Sequence, residues 1–236
     1  MNTRYDLLLC DADNTIFDFE KAEEFAFYDA CAEVGLQATP ELLEIYSVIN
    51  QSLWELLEKG GITQSVLRVR RFELFLEKIG FEYDAKVMAT AFTDSLGRQS
   101  VPIEGAFEAV KRWSKLVPII IVTNGIAKVQ HGRMDSWAIA PFISGLVISE
   151  EVGVAKPHPK MLEIGMEMAG VTDKRRVLML GDSLSSDIAA AANAGIDACW
   201  YNPRWAENTK ELPVAYEIRS LDAVDAILTG EGEEWF

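Results

Sequence analysis

From residue 101 onward the chain alternates short apolar runs with helical stretches, and that alternation restricts it to a parallel sheet flanked by helices. The runs fall at 117–122, 146–148, 177–180, 198–201 and 216–218, and the spacing predicts helices over 106–115, 126–137, 159–169, 185–194 and 221–228. Helices of this length between strands mean right-handed strand-helix-strand units and a doubly wound α/β core. Residues 4–10 add a further strand. The run Leu7-Leu8-Leu9-Cys10 has no polar alternation, so it reads as buried on both faces at the centre of the sheet.

Between this strand and residue 101 the pattern is different. Apolar residues recur at helical spacing over 18–34, with Gly35 as the stop, and Thr39-Pro40 is a cap followed by proline in the first turn of a helix reaching 59. Thr63 opens a third helix that Gly80 closes, and Asp84 caps a fourth over 84–95. Four successive helices with no strand among them have to pack on one another. Residues 18–95 are therefore expected to form a helical-bundle cap domain, inserted into a Rossmann-like core made of 1–17 and 96–236. The acidic tail 230–236 is expected to fray.

Charge narrows the choice of partners. Lys and Arg number 22 against 37 Asp and Glu, a net charge of −15, so the field repels nucleic acid polymers and anionic membranes. Any phosphate-bearing ligand then needs a local cation to receive it. No run of about 18 apolar residues is present and the N-terminus lacks a signal-peptide pattern, so a cytoplasmic location is expected. Cys10, Cys31 and Cys199 lie far apart in apolar contexts and read as buried free thiols. With only His131 and His158, a multi-histidine metal site is excluded.

The strands end in chemically loaded residues. Asp11 and Asp13 follow the first strand at the edge where open α/β sheets bind ligands. Two carboxylates so close need a cation or a shared proton, although a strand-end turn bonded to the backbone is the alternative. Strand 117–122 ends in Thr123-Asn124-Gly125, which suits a phosphate oxygen or simply caps a helix. Strand 177–180 ends in Gly181-Asp182-Ser183, with Asp187 at a helix start, where a negative charge is also favourable for structural reasons. Lys156, before a proline, is either part of this edge or a solvated loop residue. Four such coincidences on one edge carry more weight together than separately.

In order, Asp11-x-Asp13-x-Thr15, Thr123-Asn124, Lys156 before a proline, and Gly181-Asp182 with Asp187 resemble the motif series of the haloacid dehalogenase-like (HAD) superfamily over the whole chain, in its helical-cap branch. The stretch Asp11 to Phe19, the run Ile121-Val122-Thr123-Asn124-Gly125 and the run from Asn193 through Asn202 are similar to the pyrimidine 5'-nucleotidase members. Asn14 and His158 depart from what many relatives carry. The resemblance implies a phosphomonoester hydrolase working through an aspartyl phosphate on Asp11, with Asp13 as general acid and then general base. It implies Mg²⁺, or Mn²⁺, held by Asp11, the Asp13 carbonyl and Asp182, and phosphate oxygens held by Thr123, the Asn124 amide and Lys156. Asp187, supported by Ser183, would orient Lys156 or a water on the metal. The implied partner is a small phosphate monoester, most specifically a pyrimidine nucleoside monophosphate, with no nucleic acid polymer or membrane, in a monomer or homodimer. A sugar phosphate or phosphoglycolate substrate, a 2-haloacid dehalogenase and a non-catalytic phosphate-binding protein are the alternatives. A dehalogenase has no use for the second acid, since a halide leaves without a proton.

In the cap, Arg68, Arg70 and Arg71 read first as a solvated face pairing with Glu73 and Glu77, with receipt of an anion or a base as the alternative. Phe25, Trp54 and Phe72 read as core aromatics, with stacking on a nucleobase as the alternative, and His131 and Trp137 as structural.

Overall fold

All four residues of β1, Leu7–Cys10, are completely buried, as an apolar run without alternation requires. The strand starts later than the sequence suggests because the residues before it serve polar contacts. Arg176 binds the Asp6 carboxylate and the Arg4 carbonyl. The computed structural model describes residues 3–231, and of the tail expected to fray, 232–236 lie outside the described residues.

The other strands are β2 (Ile119–Thr123), β3 (Gly145–Ile148), β4 (Val177–Gly181), β5 (Asp197–Tyr201) and β6 (Tyr216–Ile218). Pro118 has no N–H for the ladder, so β2 begins at Ile119 and not at Val117, while the Pro118 carbonyl still accepts from Leu8 N–H. The six strands run in the order β3-β2-β1-β4-β5-β6, every pair parallel. The order reverses beside β1: the chain builds outward to β3, then returns to β4 on the other side. Cys10 lies opposite Ile121 and Leu180, so Asp11, Thr123 and Gly181 emerge at one edge, around the switch point where such sheets bind ligands.

The flanking helices of this unit are α5 (Ala106–Trp113), the short α7 (Ser149–Val152), α8 (Lys160–Ala169), α9 (Ala189–Ala194) and α10 (Ala223–Thr229). Leu7, Leu9, Ile120, Val122, Val177 and Met179 pack with Met161 and Leu162 of α8 and Ala190 and Ala191 of α9. Gly165 lets α8 lie close to the sheet, since a Cβ there would sit 2.7 Å from a Leu9 methyl. A helix expected from 185 instead begins as a five-residue π turn, Leu184–Ile188, a rare geometry that recurs at functional sites. Trp137 is buried with its ring centroid 3.8 Å from that of Phe17.

The second compact unit comprises Phe19–Val101 with Lys128–Ser136, and holds α1 (Phe19–Glu33), α2 (Pro40–Glu58), α3 (Gln64–Ile79), α4 (Ala85–Arg98) and most of α6 (Ala127–Ser136). Its helix starts follow the sequence signals. Thr39, Thr63 and Asp84 each accept a backbone N–H of the first turn, and Gly80 ends α3 in the left-handed conformation. The interior is aromatic: Phe27, Tyr46, Phe72, Phe75 and Phe92 are fully buried, with ring centroids of neighbouring pairs 5.0 to 6.2 Å apart. Phe25, expected in the core, is 51% exposed, and Trp54 is half-buried.

The arginine face is not uniform. Arg70 is solvated and pairs with Glu73 at 2.9 Å, but Arg71 is 1% exposed. It falls on the apolar stripe Leu67-Arg71-Phe75 that α3 turns inward, so helical phase overrides charge. No helix among the described residues is long and apolar enough to cross a membrane, and the three cysteines are free and buried.

Candidate active site

The site lies on the sheet-bearing unit and is assembled from strand ends. Asp11 follows β1 directly, with its N–H on the Leu180 carbonyl of β4, 2.9 Å away. Its Oδ2 accepts from Thr15 Oγ1 at 3.4 Å, and its Oδ1 meets Lys156 Nζ at 2.5 Å. Lys156 is buried, and its ammonium has three donors to place. Two reach Asp11 and the Val122 carbonyl, the latter at 2.6 Å, and the ammonium also pairs with Asp187 Oδ1, 2.7 Å away. Lys156 is thus part of the edge and not a solvated loop residue.

Asp187 reaches this point because the π turn folds back over the end of β4. Its Oδ2 accepts the Ser183 N–H at 3.0 Å, while Ser183 Oγ caps the turn by accepting from Ser186 N–H at 3.2 Å. A side chain at Gly181 would place its Cβ 2.3 Å from Asp187, so only glycine lets the carboxylate sit there. Asp182 is held by its carbonyl, which accepts Trp200 Nε1 of β5 at 2.8 Å. Asp13 sits one turn beyond β1, half-buried, in a short bridge with Phe17, and Asn14 beside it takes φ 59°. Thr123 ends β2 buried, its Oγ1 accepting Gly125 N–H at 3.0 Å in a local turn; α6 starts only at Ala127, whose N–H donates to Glu150, so Thr123 is not its cap. The Asn124 side chain turns to the main chain of Lys156, donating from Nδ2 to its carbonyl at 2.9 Å and accepting its N–H on Oδ1 at 2.8 Å.

Carboxylate oxygens of Asp11, Asp182 and Asp187 come within 4.8 Å of one another. The Asp13 side chain is outside this group, and Asp187, not expected as a metal ligand, is inside it. Burial pushes the Asp11 carboxyl up to about 7, with Asp187 and Asp13 adding to the rise and Lys156 opposing it. Burial also raises Asp182 well above the usual carboxylate range, reinforced by Asp187 and Asp11. For Lys156, burial disfavours the charge, yet Asp11 and Asp187 outweigh it and hold the ammonium above its ordinary value. Three clustered carboxylates against one ammonium leave two negative charges when all are ionised. A divalent, oxygen-seeking cation matches that remainder in charge and ligand type.

The sequence pointed to the strand ends but not to their supports. Trp200, Ser186 and Gly181 as a steric requirement went unassigned; the signal available was the glycine directly before Asp182.

Known proteins resemble this chain over most of its length. The family model described as haloacid dehalogenase-like hydrolase matches residues 8–201. The HAD-hydrolase YfnB of Bacillus subtilis is 32% identical over 97% of both chains. The pyrimidine 5'-nucleotidase YjjG of Escherichia coli is 31% identical over 95% of this chain and 98% of its own. The pyrimidine 5'-nucleotidase PynA of Streptococcus pneumoniae is 33% identical over 94% and 95%. The crystal structure of YfnB bound to magnesium superposes with a TM-score of 0.90, covering 95% of this chain and 99% of that one.

Proposed function

The chain belongs to the haloacid dehalogenase-like hydrolase family, and from that premise we propose that it is a Mg²⁺-dependent phosphomonoester hydrolase acting on pyrimidine nucleoside monophosphates. The observation that carries the reaction is the cluster of Asp11, Asp182 and Asp187 around Lys156. The relatives named as pyrimidine 5'-nucleotidases support the substrate. The three buried free thiols accord with a reducing, cytoplasmic setting.

Asp11 attacks phosphorus through a carboxylate oxygen, forming an acyl phosphate as the bond to the nucleoside oxygen breaks. That oxygen leaves with a proton from Asp13. Asp13, now a carboxylate, takes a proton from a water that attacks the same phosphorus, and phosphate departs as Asp11 is restored. Lys156, carried at the same edge, offsets charge on the phosphate oxygens, and Thr123 supplies a hydroxyl there. Mg²⁺ on Asp11, Asp182 and the Asp13 carbonyl would supply further charge neutralisation. Asp13 suits an oxygen leaving group, which needs the proton that a halide does not.

A screen of phosphate monoesters with Mg²⁺ tests both levels. Uridine and thymidine 5'-monophosphates are expected to lead sugar phosphates and phosphoglycolate. A sugar phosphate at the head of the ranking would replace the substrate and keep the reaction. No hydrolysis of any ester, p-nitrophenyl phosphate included, would remove the reaction as well.

A further inference from the structure

We propose that the Asn124 side chain is a positioning residue for Lys156, acting with Asn193 to fix the loop that carries it, and is not itself a ligand of the substrate's phosphate. The inference deepens the phosphatase reading and rests on it for the task given to Lys156.

Lys156 sits between α7 and α8, outside any strand, so no ladder holds its main chain. Buried peptide groups nonetheless need partners. A side-chain amide offers a donor and an acceptor side by side, and Asn124 applies both to the N–H and C=O of the same residue, as a neighbouring strand would. Its Nδ2 carries two hydrogens. One goes to the Lys156 carbonyl and the other meets Ser186 Oγ at 3.3 Å, in the turn that carries Asp187. With both committed, the side chain has no donor left for a phosphate oxygen. One residue on, the Pro157 carbonyl accepts from Asn193 Nδ2 of α9 at 3.0 Å. The end of β2, the π turn and α9 therefore converge on two consecutive residues.

This matters because a lysine stem is long and flexible. Nζ lies between Asp11, Asp187 and the Val122 carbonyl only if the main chain at 156 is held. Aspartate at 124 would keep the acceptor but set a carboxylate against the Lys156 carbonyl, and leucine would offer neither group.

The test is a double-mutant cycle read by binding of inorganic phosphate with Mg²⁺, measured calorimetrically on wild type, Asn124→Ala, Lys156→Met and the double variant. Loss of a group that orients a ligand costs about 10- to 100-fold. Asn124→Ala is expected to weaken phosphate by that factor in wild type and to change nothing further once Lys156 is gone. An equal loss in both backgrounds means that Asn124 touches the anion, and overturns the proposal; so does no loss in wild type. Should Lys156→Met fail to fold, amide hydrogen exchange decides. Asn124→Ala should speed exchange at the Lys156 N–H by about tenfold or more, with β1 and β2 still protected, and unchanged exchange there refutes the clamp. A wild type that binds no phosphate removes the phosphatase reading, while the exchange result still judges the clamp.

Discussion

Both compact units bury cations almost completely, Lys156 in the sheet-bearing one and Arg71 and Arg133 in the helical one, and Lys156 and Arg71 are accommodated in opposite ways. Lys156, on the sheet-bearing unit, hydrogen-bonds Asp11 and the Val122 carbonyl and pairs with a second carboxylate, Asp187. Arg71, inside the helical unit, has one acceptor, Asn50 Oδ1 at 3.3 Å, and otherwise lies against aromatic rings. Its guanidinium carbon is 4.3 Å from the Phe92 centroid and 5.2 Å from that of Phe72, while Nε and Nη2 have no hydrogen-bond partner. Burial alone therefore does not identify a working charge. A cation held by carboxylates can exchange one anion for another, as binding a phosphate requires; a cation packed on ring faces gains a fixed attraction and has nothing to exchange.

The largest expected effect removes a carboxylate from the Lys156 side. Asp11→Asn should cost at least ~10⁴-fold in turnover, as loss of a covalent nucleophile does, while circular dichroism stays native; wild-type rates would show that this cluster is not the working one. Asp13→Asn separates the neighbouring acid. It should slow nucleoside monophosphate hydrolysis by ~10²- to 10⁴-fold, yet with p-nitrophenyl phosphate it should leave a burst of nitrophenol and a phosphate adduct on Asp11 visible by mass spectrometry. Neither burst nor adduct in a folded protein would sink the acid-base assignment.

The comparison itself is broken or kept by one pair of variants. Lys156→Met strands buried carboxylates and should cost about 3–5 kcal/mol in urea unfolding. Arg71→Met removes a guanidinium that no carboxylate holds and fills its space with apolar atoms, so stability should stay within about 1 kcal/mol of wild type. Equal losses would mean that both cations are structural in the same sense. Smallest of all is Arg70→Ala, beside Arg71 in sequence but solvated, where loss of the Glu73 pair should cost no more than ~0.5 kcal/mol.

Much of this was legible in the sequence where the determinants are local. Apolar runs marked the inner strands, because strands buried on both faces cannot alternate, whereas the edge strand β6 carries the exposed Glu217 between Tyr216 and Ile218. Thr39, Thr63 and Asp84 marked helix starts, because a cap bonds only to its own first turn. The loaded strand ends were visible because parallel topology brings them to one edge. Arg71 was misread because its charge was weighed before its helical phase, although Leu67 and Phe75, one turn on either side, already placed it inside. Asn124 and the π turn were not legible: the first pairs with a residue 32 positions away, and the second depends on how Asp187 packs against Gly181.

The central position of β1 bears on the order in which the chain assembles. Within the sheet Leu7–Cys10 precedes the other strands, yet its two neighbours are Ile119–Ile121 and Val177–Leu180, so it has no partner strand until β2 has been made. The inserted helices, by contrast, pack on one another, α2 on α3, α3 on α4 and α1 chiefly on α4, and all four are complete by Arg98. Closing β1 onto β2 across them costs an entropy that grows only logarithmically, about 0.6 kcal/mol for each doubling of length. The stretch Phe19–Val101 can therefore be lengthened, shortened or rebuilt with little penalty to the sheet. Asp11 joins Asp182 and Asp187 only once β4 and the turn after it are in place, so a chain that stops short of Asp187 cannot assemble the cluster.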